Sequence, residues 1–349
     1  MVAAARGTIG SDMTQPIATT MTEAPASRTT FGEIRPARRS IVAKRPPAKR
    51  PPAPVATGRP AGLFTWLAIG LVVVVVVALV VIKVVSGTSG PAAATFTPTS
   101  ATVAHELAAV PASVFNAVGV TSKAVPVSAP IPLKGQPELT GKSSTGATVP
   151  EVFYLGAEYC PYCAAERWPT IIALSRFGTF SGLGDMISST RSVEPYQGTP
   201  TFTFVRAHYR SPCVAFAPVE QYTNVWDSAA GFYSPLQTPN AKEAAVFKKY
   251  DTSKYIPGIS ASQDYSIPFL SLGNRYLIAG ASYTPQLLAG VSRDTIAAGL
   301  NSATNPVTVA IVAAANYDTA VICSLTKGHP GNVCTSPGVV AAKKALHIS

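Results

Sequence analysis

Apolar positions change period several times along this chain, and each change predicts an element. Leu63 to Ile82 is twenty residues without a charge, including six consecutive valines, Val72 to Val77. At ~1.5 Å per residue such a helix spans about 30 Å, the thickness of a bilayer core. Val152-Phe153-Tyr154-Leu155-Gly156 is a continuous apolar run ending in a turn, the pattern of a buried strand. Thr201-Phe202-Thr203-Phe204-Val205 alternates β-branched and aromatic residues, and Val214-Ala215-Phe216 follows Pro212 as a second strand. Ala241 to Tyr250 has the helical period, with Ala245 and Val246 inward and Lys242, Lys248 and Lys249 outward. Ile267 to Leu272, then Gly273-Asn274-Arg275, then Tyr276 to Ala279 read as strand, turn, strand.

The remaining pattern is helical at both ends of this region. Ala101 to Val110 forms a short helix, and Pro111 opens another around Val114-Phe115. Further helices start at Thr284-Pro285, at Ser292 and at Asn305-Pro306, the last an Ala/Val-rich one reaching Cys323. Asn305 to Thr326 is apolar enough to raise a second membrane span. Asn316, Tyr317 and Asp318 interrupt it, and Ala outnumbers Leu, so a packed helix of the folded domain is expected. Pro126 to Thr148 is Pro-, Gly- and Ser-rich and predicts a surface loop; residues 223–240 predict an insertion loop.

Charge separates the chain into parts. The 349 residues carry 28 Lys and Arg against 17 Asp and Glu, a net +11. Ten of these bases and three of the acids lie in residues 1–62, so the tail holds +7 and the rest only +4. That leaves a nucleic-acid reading of the folded part without its main support. The tail itself has Pro46-Pro47 and Pro51-Pro52 and almost nothing to bury, so residues 1–62 predict a disordered basic segment. Eight bases fall between Arg35 and Arg59, whereas after Lys83 the next is Lys123. The positive-inside rule then places the tail in the cytoplasm, residues 63–85 across the membrane as a single-pass signal anchor, and the remainder outside. Trp66 sits at one interface and Lys83 can snorkel at the other. A cleaved signal peptide is the rival, but its apolar core would be shorter and nearer the N-terminus. Residues 86–99 form an extracytoplasmic linker, and 100–349 one α/β domain.

The chemistry concentrates at Glu158-Tyr159-Cys160-Pro161-Tyr162-Cys163, which follows the first strand. Ala164-Ala165-Glu166-Arg167-Trp168 are mostly helix formers, and Pro161 suits a first helical turn, where its missing N–H costs nothing. Cys160 thus stands where free backbone N–H groups face outward. A free thiol, with a pKa near ~8.5, is only about 3% thiolate at pH 7, and the thiolate is the nucleophile. The helix dipole supplies ~0.3–1 kcal/mol, up to about 2 when partly buried, roughly one pKa unit. Any larger shift must come from hydrogen bonds to the Cys160 sulfur. Cys163, three residues on, faces the same side and can close a small disulfide ring, so a cycling dithiol is the natural reading.

These residues resemble the thioredoxin superfamily: a strand, then Ala157-Glu158-Tyr159-Cys160-x-x-Cys163, with Pro161-Tyr162 similar to the glutaredoxin and disulfide-isomerase dipeptide. The longer string Gly156 to Trp168, then Ala173-Leu174-Ser175-Arg176-Phe177-Gly178, resembles an uncharacterised prokaryotic family, domain of unknown function 929, from about residue 96 onward. The resemblance implies a thioredoxin-like central sheet flanked by helices, with additional C-terminal helices. It also implies a cis proline at Ile267-Pro268 facing the cysteines as a substrate-binding loop; a proline opening a strand is the plain alternative. Three departures stand out. Tyr154 occupies the place of the buried thioredoxin aspartate, Tyr159 that of a tryptophan, and Pro169 comes one residue late in the helix. Glu151 or Glu158 could replace the aspartate, although Glu158 is expected at the surface.

Five cysteines leave one odd. Cys323 and Cys334 flank Lys327-Gly328-His329-Pro330-Gly331, a hairpin-like loop, and outside the cell they would most simply be bonded as a structural disulfide. Cys213 remains as a small buried hydrophobe. The expectation is a membrane-anchored extracytoplasmic thiol–disulfide oxidoreductase with Cys160 and Cys163 catalytic. Its partners would be exported protein thiols or disulfides and a membrane redox partner, without cofactor, metal or nucleic acid. Two other readings stay open: a redox-inactive thioredoxin-like binding module with a structural disulfide, and a zinc knuckle drawing on Cys323, His329 and Cys334.

Overall fold

The computed structural model of the chain describes residues 96–120 and 125–348, and in it the apolar run before the cysteines is the central strand. The tail, the span at 63–85 and residues 86–95 of the linker lie outside the described residues. In chain order come β1 (Thr97–Pro98), α1 (Ala101–Ala108), α2 (Ala112–Val118), β2 (Ile131–Pro132), β3 (Thr140–Lys142), β4 (Thr148–Gly156) and α3 (Pro161–Ser175). Next are β5 (Thr179–Ser181), β6 (Gly184–Ile187), β7 (Pro200–Thr203), β8 (His208–Arg210), β9 (Ala215–Glu220), β10 (Tyr222–Asp227) and β11 (Phe232–Pro235). Then follow α4 (Ala241–Tyr250), β12 (Phe269–Leu272), β13 (Tyr276–Ala279), α5 (Arg293–Gly299), α6 (Pro306–Leu325), α7 (Gly331–Cys334) and α8 (Pro337–Ala345). The protein is a mixed α/β structure.

The main sheet is built around β4. On one side β12 runs antiparallel to it, Leu155 opposite Phe269, and β13 and β2 continue outward. On the other side β9 runs parallel, from Glu151 opposite Ala215 to Gly156 opposite Glu220. Both faces of β4 are covered, which is why its sequence is apolar without alternation. Phe153, Leu155, Phe269 and Leu277 face a smaller core that holds Val246 and Tyr250 of α4. Val152, Tyr154, Leu270 and Leu272 face the larger core with α3 and α6.

Among the described residues, α6 is the helix long and apolar enough to cross a membrane, and 83% of its most apolar stretch is buried in the protein. Two predicted loops hold strands instead. The segment 126–148 contains β2 and β3, and Pro132 lies on β2, an edge strand of the sheet, where proline is tolerated. Residues 223–240 contain most of the β10–β11 hairpin, turned at Gly231 with φ +65° and held by aromatic contacts across the pair. The Cys323–Cys334 loop is not a hairpin either: its second half is the helical turn α7.

Candidate active site

Strand β4 ends at Gly156, the chain turns through Ala157, Glu158 and Tyr159, and Cys160 caps α3 with Pro161 in its first turn. The cap is the sulfur itself: the Cys163 backbone N–H donates to Cys160 Sγ at 3.3 Å. A side-chain acceptor at this position satisfies one of the N–H groups that a helix start leaves free. From the opposite side the Cys160 thiol donates to the Ile267 carbonyl at 3.8 Å, and the Ile267–Pro268 peptide is cis. The structure thus brings Cys160, Cys163, Ile267 and Pro268 together. Cys160 is 5% exposed and Cys163 fully buried, so the first cysteine is less open than its place at a helix start implied.

The two thiols are driven apart. Burial alone would push Cys160 up, but the Cys163 thiol, the Cys163 and Tyr162 backbone N–H groups and the charge of Arg167 together hold it below its ordinary value. Cys163 is pushed well up, by burial first, then by its hydrogen bond to Cys160 and by the charge of that neighbour; Arg167 pulls against this.

Helix α3 carries its late proline without leaving a carbonyl orphaned. Pro169 cannot donate to Ala165 one turn back, and the Tyr283 hydroxyl donates to that carbonyl instead at 2.8 Å. Thr201 Oγ1 donates to Ala164 O at 2.8 Å, and Trp168 Nε1 to Pro200 O at 3.1 Å, which ties the helix to β7.

Around the cysteines, Tyr159 stacks on Tyr233 with ring centroids 4.1 Å apart and meets the edge of Phe232. Its hydroxyl is raised above its ordinary value, mainly by burial. Tyr162 is 39% exposed and edge-on to Tyr196. Glu158 corrects the surface expectation: it is 3% exposed and accepts from Thr203 Oγ1 at 2.6 Å. Burial raises its carboxyl, against the Thr203 hydrogen bond. Glu151 instead pairs with Lys242 at 2.8 Å, at the other end of β4.

Residues 142–324 match the family described as Domain of unknown function (DUF929), which is more than half of the chain. The chain belongs to the DUF929 family. The description assigns no activity. No curated protein and no solved structure matches the chain. The span matched to DUF929 takes in both cysteines of the motif, Ile267, Pro268 and Cys323, while Cys334 lies beyond it.

Cys323 and Cys334 are joined, S–S 1.98 Å, far along α6 from the motif, and Cys213 is a free thiol beside Ser211 Oγ at 3.5 Å. Among the described residues, no three His, Cys, Asp or Glu side chains group as metal ligands would. Beneath the motif lie groups that sequence reasoning did not single out. Arg167 and Glu220 form a fully buried ion pair at 2.6 Å, 53 residues apart in the chain. Glu166 and Asp318 are buried acids on α3 and α6. Helical spacing puts Glu166 and Arg167 one turn from Cys163, but their partners come from β9, α6 and the segment at Ser282, which no local pattern connects.

Proposed function

We propose that this protein is a membrane-anchored, extracytoplasmic thiol–disulfide oxidoreductase in which Cys160 is the attacking and Cys163 the resolving cysteine. The observation that carries the reading is the cap geometry: Cys160 Sγ accepts the Cys163 N–H at 3.3 Å, with the first thiol held down and the second pushed up. That asymmetry suits the chemistry. The thiol held down is the more thiolate-rich and attacks a substrate disulfide, giving a mixed disulfide at Cys160. Cys163 then attacks Cys160 Sγ and releases the substrate thiol. Run backward, the same steps oxidise a substrate dithiol.

A thioredoxin-like arrangement is part of this proposal. Its support is the spatial order β9, β4, β12, β13, with β9 parallel to β4 across α3 and the other neighbours antiparallel. Ile267 and Pro268 would face the substrate, and a substrate segment would pair with the backbone there. The membrane anchor rests on the charge-free run at 63–82 and the step in basic residues across it. A redox-inactive binding module is the second reading, and the burial of Cys160, 5% exposed, is the observation in its favour.

The test is trapping. Cys163→Ala in cells should accumulate covalent adducts on Cys160, and Cys160→Ala none. If Cys163→Ala traps no partner and the wild-type protein neither reduces nor oxidises a dithiol test peptide, the binding-module reading replaces this one.

A further inference from the structure

Resolution of a mixed disulfide needs the Cys163 thiolate, and Cys163 is fully buried. The neighbour on β4 that faces it is Tyr154, a phenol that burial keeps neutral. What the buried space does hold is a fixed positive charge. Arg167 lies one helical turn beyond Cys163, on the same face, where side chains four apart are about 5–6 Å from each other at Cβ. Its Nε and Nη2 donate to Glu220 at 2.8 and 2.6 Å, and Nη2 also donates to Ala157 O at 2.8 Å, in the turn that leads into Cys160. Its Nη1 has no hydrogen-bond partner among the described residues, and neither does the Tyr154 hydroxyl. The guanidinium carbon sits 5.8 Å from the Tyr154 ring centroid. Replacing a buried ion pair with apolar residues is often neutral or stabilising, so stability alone is a weak reason for this one.

We propose that Arg167, held in place by Glu220, is a positioning residue that stabilises the Cys163 thiolate while the mixed disulfide is resolved. The inference rests on the oxidoreductase reading. In the step it serves, the Cys163 thiolate attacks Cys160 Sγ, the S–S bond between the two cysteines forms, and the bond from Cys160 to the substrate sulfur breaks. The substrate leaves with the electron pair and takes up the proton that Cys163 gave. The protein dithiol is oxidised and the substrate disulfide reduced. Arginine suits the task because it stays charged in a buried site. The titratable groups facing it are Tyr154 from β4, Glu158 from the turn, Cys160 and Cys163 from α3 and Glu220 from β9.

The experiment uses the full-length protein carrying thionitrobenzoate as a mixed disulfide on Cys160, and follows its release by Cys163 against pH. An opposite charge in this range moves a thiol by about one to three units. Arg167→Met together with Glu220→Gln, which leaves no uncompensated charge, should therefore raise the midpoint of the release profile by about one pH unit or more. Release at neutral pH would then fall about tenfold or further. Arg167→Lys, which keeps the charge, should hold the midpoint near wild type. Glu220→Gln alone removes only the negative charge and should lower it. A midpoint unmoved in the Glu220→Gln variant, or the same midpoint in the lysine and methionine variants, overturns the assignment. Release from a small adduct does not need a protein substrate. The Arg167 assignment and the oxidoreductase reading can therefore fail separately, the second by the trapping and turnover tests.

Discussion

Replacing Glu166 by glutamine should remove the share of the protein's pH sensitivity between about 4.5 and 7 that this one carboxyl contributes. Glu166 is fully buried between α3 and the segment at Ser282, whose N–H donates to Oε2 at 2.8 Å and whose Oγ donates to Oε1 at 3.2 Å. Burial pushes the carboxyl from an ordinary 4.5 to about 7, against the two Ser282 hydrogen bonds that pull it down. In the unfolded chain it titrates near 4.5. Between the two values the native state holds a proton that the unfolded state lacks, so stability falls as pH rises. The contribution is full below about 4.5 and lost by about 7. A gap of roughly 2.5 units at ~1.36 kcal/mol each makes this about 3 kcal/mol. Glutamine keeps both contacts: its carbonyl accepts from the Ser282 N–H and its NH2 donates to Ser282 Oγ. Guanidinium unfolding of wild type and Glu166→Gln at half-unit steps from pH 4.5 to 8 measures the effect. The difference between them should open from near zero to about 3 kcal/mol in favour of glutamine. Asp251, also pushed up to about 7 by burial, titrates in both proteins and cancels in the difference. Asp318, which the Glu166 charge helps to push up, is relieved in the variant and widens the difference in the same direction. Parallel curves with a constant offset would refute the reasoning, because Glu166 would then ionise as freely in the fold as outside it.

Three more predictions follow from other parts of the chain. Cys323→Ser with Cys334→Ser opens a loop of 11 residues' separation and should cost about 3 kcal/mol in guanidinium unfolding; a loss under about 1 kcal/mol would mean the crosslink constrains little. Gly156→Ala would put a methyl against the hydroxyl of the buried Tyr154 and should destabilise by about 1–3 kcal/mol, read as a fall in Tm; wild-type Tm would mean that Tyr154 moves aside freely. A periplasm-type reporter fused after Val85 should be active and one fused before Gly62 inactive, and activity from the earlier fusion alone would reverse the proposed topology.

Local physics was written plainly in the sequence. A continuous apolar run, a turn, then helix formers with proline in the first turn specify strand, cap and helix around Cys160, because period and capping act over a few residues. The same holds for Phe269–Leu272 and Tyr276–Ala279, joined by a Gly-Asn-Arg turn. β10 and β11 lack a period-2 pattern, with aromatics at Tyr222 and Trp226 in one and at Phe232 and Tyr233 in the other and a register shift between Tyr222 and Trp226. The sequence therefore predicts a loop where the structure has a hairpin. Burial of charge was the part that only the tertiary structure decided. Glu158 reads as a turn residue until β7 brings Thr203 to its carboxyl. Arg167 and Glu220, 53 residues apart, meet only because β9 pairs in parallel with β4 and ends level with Gly156. Asp318 looks like a polar interruption of an apolar helix, and the packing of α6 buries it where the charge of Glu166 is felt. Periodicity records which face of an element is buried; which ionisable groups share a buried space depends on strand order and register, and these are set by contacts distant in the chain.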